Sequence, residues 1–182
     1  MTYDFQYSNF IFDEIIFQIL AAIGTIILIW SLLTDVKQFF DKKTKTSIIP
    51  IIFGIMFTSI IWVWNIQIEA NFNKPSLLRI YYDGDYNGTS IDFKKDGTYI
   101  YDNFAIGFSN FVYGTYIING NIITLDDNSL DNISTKQLKI ISKEVEYAHG
   151  KEMEKHVYQT DTNNVIVENT TEFRLILDNR EY

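Results

Sequence analysis

Two stretches decide the fold: Ile15–Thr34, IIFQILAAIGTIILIWSLLT, and Thr46–Ile68, TSIIPIIFGIMFTSIIWVWNIQI. Neither holds a charged residue, and they run for 20 and 23 residues. At about 1.5 Å of rise per residue each covers roughly 30 Å as a helix, the hydrocarbon thickness of a bilayer. Both are apolar on every face rather than along one stripe. Ser47 is placed to cap the second helix, and Pro50 falls in its first turn, where a missing N–H costs little. Trp30, Trp62 and Trp64 stand near the ends of the runs, where amphipathic rings prefer the membrane interface. The first 14 residues carry Asp4, Asp13 and Glu14 and no Lys or Arg, unlike the basic start of a signal peptide. The expectation is a tail over residues 1–14, a two-helix transmembrane hairpin with spans 15–34 and 46–68 and a loop over 35–45, and a linker over 69–76.

Neither span carries an ionisable side chain, which argues against a proton relay or an ion-coupled transporter. Two helices cannot enclose a channel, so any action on a membrane needs an oligomer. Ala21 with Thr25 and Gly54 with Thr58 set small residues four apart, and Gly24 lies beside the first pair. Such faces let helices approach closely, within the hairpin or between copies. The loop carries Lys37, Lys42, Lys43 and Lys45, against Lys74 and Arg79 on the near flanks. By the positive-inside rule that count leans toward a cytoplasmic loop and an external C-terminal domain.

The chain has 182 residues, no Cys and a formal net charge of −8. The missing Cys excludes disulfides, thiol nucleophiles and thiolate metal sites. Residues 76–182 hold 10 Lys/Arg and 17 Asp/Glu, a net −7, so the acid lies almost entirely there. That balance argues against an open surface for DNA or RNA polymers, though not against a small anion in a pocket.

From about Pro75 the pattern turns to strands. In TSIDFKKDGTYIYDN, Thr89, Ile91 and Phe93 alternate, Lys94 to Gly97 turn, and Tyr99 and Tyr101 alternate again. In FVYGTYIINGNIITL, Asn119-Gly120 is a two-residue hairpin signal between β-branched and aromatic runs. Further strands are expected at Leu77–Tyr82, Gln137–Ile141, Glu152–Gln159, Val165–Val167 and Glu172–Leu177. No segment there has helical periodicity. About eight short strands over 77–182 fit a small antiparallel barrel or a sandwich, and closure, which removes exposed edges, favours the barrel.

Ten of the 12 Tyr lie in this domain. Inward aromatics of a small barrel are first of all core; the functional reading is a base-stacking pocket at its mouth. Tyr81, Tyr99, Tyr101, Phe111, Tyr113 and Tyr116 are the candidate stacking rings. Arg79, Arg174, Lys139 and Lys155 are the strand cations available to a phosphate. The stretch His149–His156, HGKEMEKH, lacks the i, i+4 histidine spacing of a helical zinc motif, and a charged hairpin tip is the simpler reading. There is no phosphate-binding Gly-rich loop, nucleophile elbow or paired-carboxylate motif, so neither catalytic residues nor a metal are expected.

The FKKDGTY and GTYIINGN strand pairs resemble those of lipocalin-like barrels, and two N-terminal spans followed by a small strand-rich domain resemble the two-transmembrane, β-strand-rich effectors of bacterial CBASS antiphage systems, the membrane effectors associated with CD-NTase enzymes. The resemblance implies a non-enzymatic inner-membrane protein whose barrel, in the cytoplasm, binds a cyclic dinucleotide made by a nucleotidyltransferase. Ligand binding would then drive self-assembly, membrane disruption and abortive infection. The competing readings are a membrane-anchored immunity protein that neutralises a basic toxin, and an envelope lipocalin-like protein that binds an apolar ligand.

Overall fold

The computed structural model describes the backbone of residues 6–42, 49–127, 130–148 and 150–180, with side chains from Ile19 onward apart from those of residues 35, 38, 39, 42, 49 and 50. The chain divides into two compact units. One is Ile11–Asn73; the other joins Met1–Phe10 to Lys74–Tyr182.

The first unit is helical. α1 runs Ile11–Lys42 and α2 runs Ile49–Phe72. α2 is long and apolar enough over Ile51–Phe72 to cross a membrane, and most of its large apolar side chains stand exposed. α1 does not meet that measure: its described apolar stretch, Ile19–Thr34, is shorter. Among the described residues, one candidate span therefore stands where two were expected. The loop expected over 35–45 is also shorter, because α1 continues through Asp35 and Lys37 to Lys42. Ser47 lies outside the described residues.

Within this unit the small residues act locally. Thr25 Oγ1 donates to Ala21 O at 2.7 Å, and Thr58 Oγ1 donates to Gly54 O at 2.8 Å. These four-residue back-bonds use the hydroxyls inside their own helices. A Cβ at Gly54 would stand 2.4 Å from Leu28 Cδ1, so α1 packs tightly against α2 there, whereas Gly24 has open space beside it.

The second unit is all antiparallel sheet. Its strands are β1 Gln6–Phe10, β2 Ser76–Gly84, β3 Asn87–Lys94, β4 Thr98–Ala105, β5 Phe108–Asn119, β6 Ile122–Leu125, β7 Gln137–Tyr147, β8 Gly150–Thr160 and β9 Phe173–Asp178. Strands β2 to β9 close into a ring because β5 pairs with β6 as well as with β4. β1 pairs with β5 over Phe108–Val112 while β6 takes Tyr116–Asn119 of the same strand. The expected N-terminal tail is thus in part a ninth strand. The expected strand at Val165–Val167 is only a bridge between Thr160 and Ile166.

Turn chemistry fixes the register. Gly97, at φ +84, ends the β3–β4 turn, where Asp96 Oδ1 accepts from Thr98 N and Oγ1. The β5–β6 loop is Gly120-Asn121, one residue later than the Asn119-Gly120 pair read from sequence, because Asn119 pairs with Ile122. Its first residue, Gly120, has φ +59, as the primed hairpin turns require.

Apolar side chains form a core inside the ring. Leu78, Ile80, Ile91, Phe93, Tyr99 and Phe173 belong to one buried cluster that continues through β6, β7 and β8. Tyr99 lies directly opposite Gly114, and a Cβ there would meet its ring at 2.4 Å, so only glycine leaves it room. The β6–β7 loop sends Leu130 and Ile133 into the same cluster and covers one end of the ring. Gln159, 1% exposed, holds that end together. Its Oε1 accepts from Ser134 N at 2.7 Å and Oγ at 3.0 Å; its Nε2 donates to Asn132 O at 2.7 Å and Thr171 O at 3.3 Å. The side chain so joins the β6–β7 loop to the β8–β9 loop. Gln159→Leu removes four hydrogen bonds to part-buried groups, and is expected to destabilise the ring by about 2 kcal/mol in urea melts of the full chain in detergent.

Candidate functional site

Alternation along each strand sorts the expected ligand residues between the two faces of the ring wall. Tyr99, Tyr101 and Tyr116 point inward and are core. Tyr101 donates its hydroxyl to Asp131 O in the loop that covers the ring's end, and Tyr116 donates to Lys94 O at 2.7 Å. Burial raises the pKa of both phenols, that of Tyr116 to about 12. These rings are committed to packing and do not line an open mouth.

Arg79, Tyr81, Phe111, Tyr113, Lys139 and Arg174 lie on the outer face. Residues directly opposite in neighbouring strands share a face. Tyr81, Ser90, Asp102 and Phe111 therefore form one cross-strand row, and Arg79, Asp92, Ile100 and Tyr113 form the next. Phe104 stacks on Tyr81 with ring centres 5.7 Å apart and lies over Gly88, where a Cβ would meet it at 2.2 Å. Asp102 sits in register among Ile100, Phe104 and Phe111. Burial there pushes its carboxyl up to about 6, against a Ser109 hydrogen bond that lowers it.

The arginines already have carboxylates. Arg174 Nη2 donates to Glu154 Oε1 at 2.7 Å, and Tyr147 donates to the same oxygen. These bonds, Tyr147's foremost, hold Glu154 below its ordinary range. His156 lies between Glu172, 2.7 Å from Nδ1, and Glu154, 3.4 Å from Nε2. Lys139, on β7, lies opposite Tyr158. His149 lies outside the described residues.

Arg79 Nη2 and Lys94 Nζ share Asp92 Oδ2 at 2.9 and 2.8 Å. Lys94 is 2% exposed and also donates to Lys74 O at 3.1 Å. Burial raises Asp92, but hydrogen bonds from Lys94, Ser76 and Arg79 outweigh it and leave the carboxyl below the usual range. Lys74 Nζ meets Asp96 at 2.9 Å, and Lys95 N donates to Pro75 O at 2.9 Å. Residues 74–76 are so clamped to the β3–β4 turn.

At the rim where β2 begins, the expected cation Lys155 shares a carboxylate with Arg180, which sequence reasoning missed. Lys155 Nζ lies 2.6 Å from Asp178 Oδ2. Arg180 grips the same carboxylate with Nε at 2.8 Å and Nη2 at 2.9 Å, and donates through Nη1 to Gly120 O at 2.8 Å. Asp178 faces inward because the register slips by one residue between β2 and β9, pairing it with the core position Leu78. Arg180 lies beyond the last strand and is flanked by Asp178 and Glu181, so no local excess of cations points to it.

The geometry thus offers matched cations at the rim and aromatic rows outside, with packed side chains within. The chain matches no protein-family model, no curated protein and no solved structure.

Asp102 supplies a pH test. Its unfolded value is near the ordinary ~3.9, so folding takes up a proton between about pH 4 and 6 and the ionised form opposes the fold above that window. Asp102→Asn is expected to raise Tm at pH 8, with the gain gone below about pH 4, in circular-dichroism melts of the full chain.

Proposed function

We propose that the chain is a bilayer-anchored effector of the CBASS kind, in which a lipocalin-like barrel takes a cyclic dinucleotide and drives assembly of copies in the bacterial inner membrane. One observation carries the anchoring: β1 pairs with β5, so the chain before α1 and the chain after α2 belong to one folded sheet. Polar strands cannot be split across a bilayer, so the number of crossings between Phe10 and Ser76 is even. If α2 crosses, α1 crosses too, its 16 described apolar residues from Ile19 to Thr34 being extended by helix on either side. Both helices and the sheet then share the topology that the resemblance implies.

The packed interior weighs against the reading of an enclosed apolar ligand. It moves a nucleotide to the rim or the outer wall, where phosphate would compete with Asp178 for Arg180 and Lys155, or with Asp92 and Glu154 for Arg79 and Arg174. Binding must favour the assembled state over the separate one, since a ligand shifts an equilibrium only through differential affinity. An acidic hairpin tip bearing Glu144, Glu146 and Glu152 is the feature that favours the immunity-protein alternative.

The test uses the full chain in vesicles loaded with a self-quenched dye, with a panel of cyclic dinucleotides. At least one is expected to raise Tm and release dye. No shift and no release with any of them overturns the effector reading. A reporter fused after Tyr182 is expected to be active on the cytoplasmic side, and activity only outside contradicts the orientation.

A further inference from the structure

Residues 76–182 carry a net −7, yet one end of the ring gathers cations. At the rim where β2 begins, Arg79 and Lys94 meet on Asp92, and Lys155 and Arg180 meet on Asp178. Each of these carboxylates answers two positive charges. Lys74 with Asp96 adds one matched pair beside them. Among the described residues, this network therefore sets five positive charges against three negative ones. The group around His156 is balanced by contrast, since Lys143 meets Glu172 and Arg174 meets Glu154.

The two half-neutralised pairs are joined through the first residue of β2. Arg79 Nη2 donates to Ser76 Oγ at 3.4 Å, and Asn179 Nδ2 donates to Ser76 O at 3.1 Å. Asp92 lies opposite Arg79, and Asp178 lies opposite Leu78, so their backbones flank β2. They stand two strand spacings apart, roughly 10 Å. Asp92 is on the outer face and Asp178 turns inward, so the pairs straddle the rim. Each pair has one cation that a ligand can reach: the side chains of Arg79 and Lys155 are 44% and 39% exposed, whereas those of Lys94 and Arg180 are largely buried.

Resting on the effector reading for the class of ligand, we infer that this rim is the nucleotide site. It takes a soluble ligand with two phosphodiester groups, one held by Arg79 and Lys94 and the other by Lys155 and Arg180. A phosphodiester carries one negative charge, which is what each pair lacks once its carboxylate is counted. Asp92 and Asp178 stay in place and hold the cations in position, while guanidinium and ammonium donors give charge-assisted bonds to the phosphates. The burial of Lys94 and Arg180 keeps salt from screening their charge. A ligand with one phosphate satisfies one pair only.

The test is isothermal titration calorimetry of the full chain in lipid-free maltoside micelles, so that only a soluble ligand is present. The probes are cyclic di-AMP, cyclic di-GMP and cyclic GMP–AMP, with adenosine monophosphate as the one-phosphate control. At least one cyclic probe is expected to bind, and adenosine monophosphate about tenfold more weakly or worse. Arg79→Gln and Lys155→Gln are each expected to weaken that probe by about tenfold or more, the loss of a charge-assisted bond. Lys155→Arg is expected to retain binding, and Lys143→Gln, in the balanced group, to leave it within about twofold. Should Lys155→Gln fail to fold, Arg79→Gln, at the more exposed side chain, carries the comparison. No binding of any cyclic probe to the parent chain overturns the effector reading and this inference with it. Cyclic-probe binding that survives the Gln variants at the rim, that adenosine monophosphate matches, or that Lys143→Gln weakens equally, overturns the rim site alone.

Discussion

One strand edge controls the architecture. β5 is 12 residues long, and its edge away from β4 is divided: the first part holds β1 and the last part holds β6. Pairing with β6 closes the ring. Pairing with β1 brings the start of the chain into the same sheet as its end, with the whole helical unit as an insertion between them. Without the β1 contact, the helical pair would have one tether; with it, the segment is fixed at both ends in one sheet.

Closure also determines what the ring can do. Eight strands leave an interior just wide enough for side chains, and this one is occupied by aromatic rings set against glycine, as with Tyr99 over Gly114. Gln159 then ties two loops across one end with all of its amide groups in use. The charged and aromatic groups outside that core lie on surfaces: a rim where Arg180 and Lys155 hold Asp178, and an outer wall whose aromatic rows surround a carboxyl raised by burial.

Much of this was legible in the sequence. Alternation through Thr89, Ile91 and Phe93, and the glycine turns at Gly97 and Gly120, located the hairpins to within a residue, because local sterics set them. Alternation could not say which parity faced inward, so Tyr99 and Tyr101 were grouped with Tyr81 and Tyr113 although the wall separates them. β1 was not legible: QYSNF has no convincing pattern, and its partner lies about a hundred residues away. Arg180 was missed for a related reason, since its role depends on a one-residue register slip in β9 that no local signal announces.

The most direct measurement places thiols on both sides of the helical insertion, at Ser8→Cys in β1 and, in a second variant, at Asn119→Cys in β5. Each is expressed in bacterial cells and probed with a membrane-impermeant maleimide in intact spheroplasts and in inverted vesicles. The account predicts that both thiols react in inverted vesicles and neither in spheroplasts. Labelling of the two positions from opposite sides would contradict it, because one sheet cannot hold strands from both sides of a bilayer.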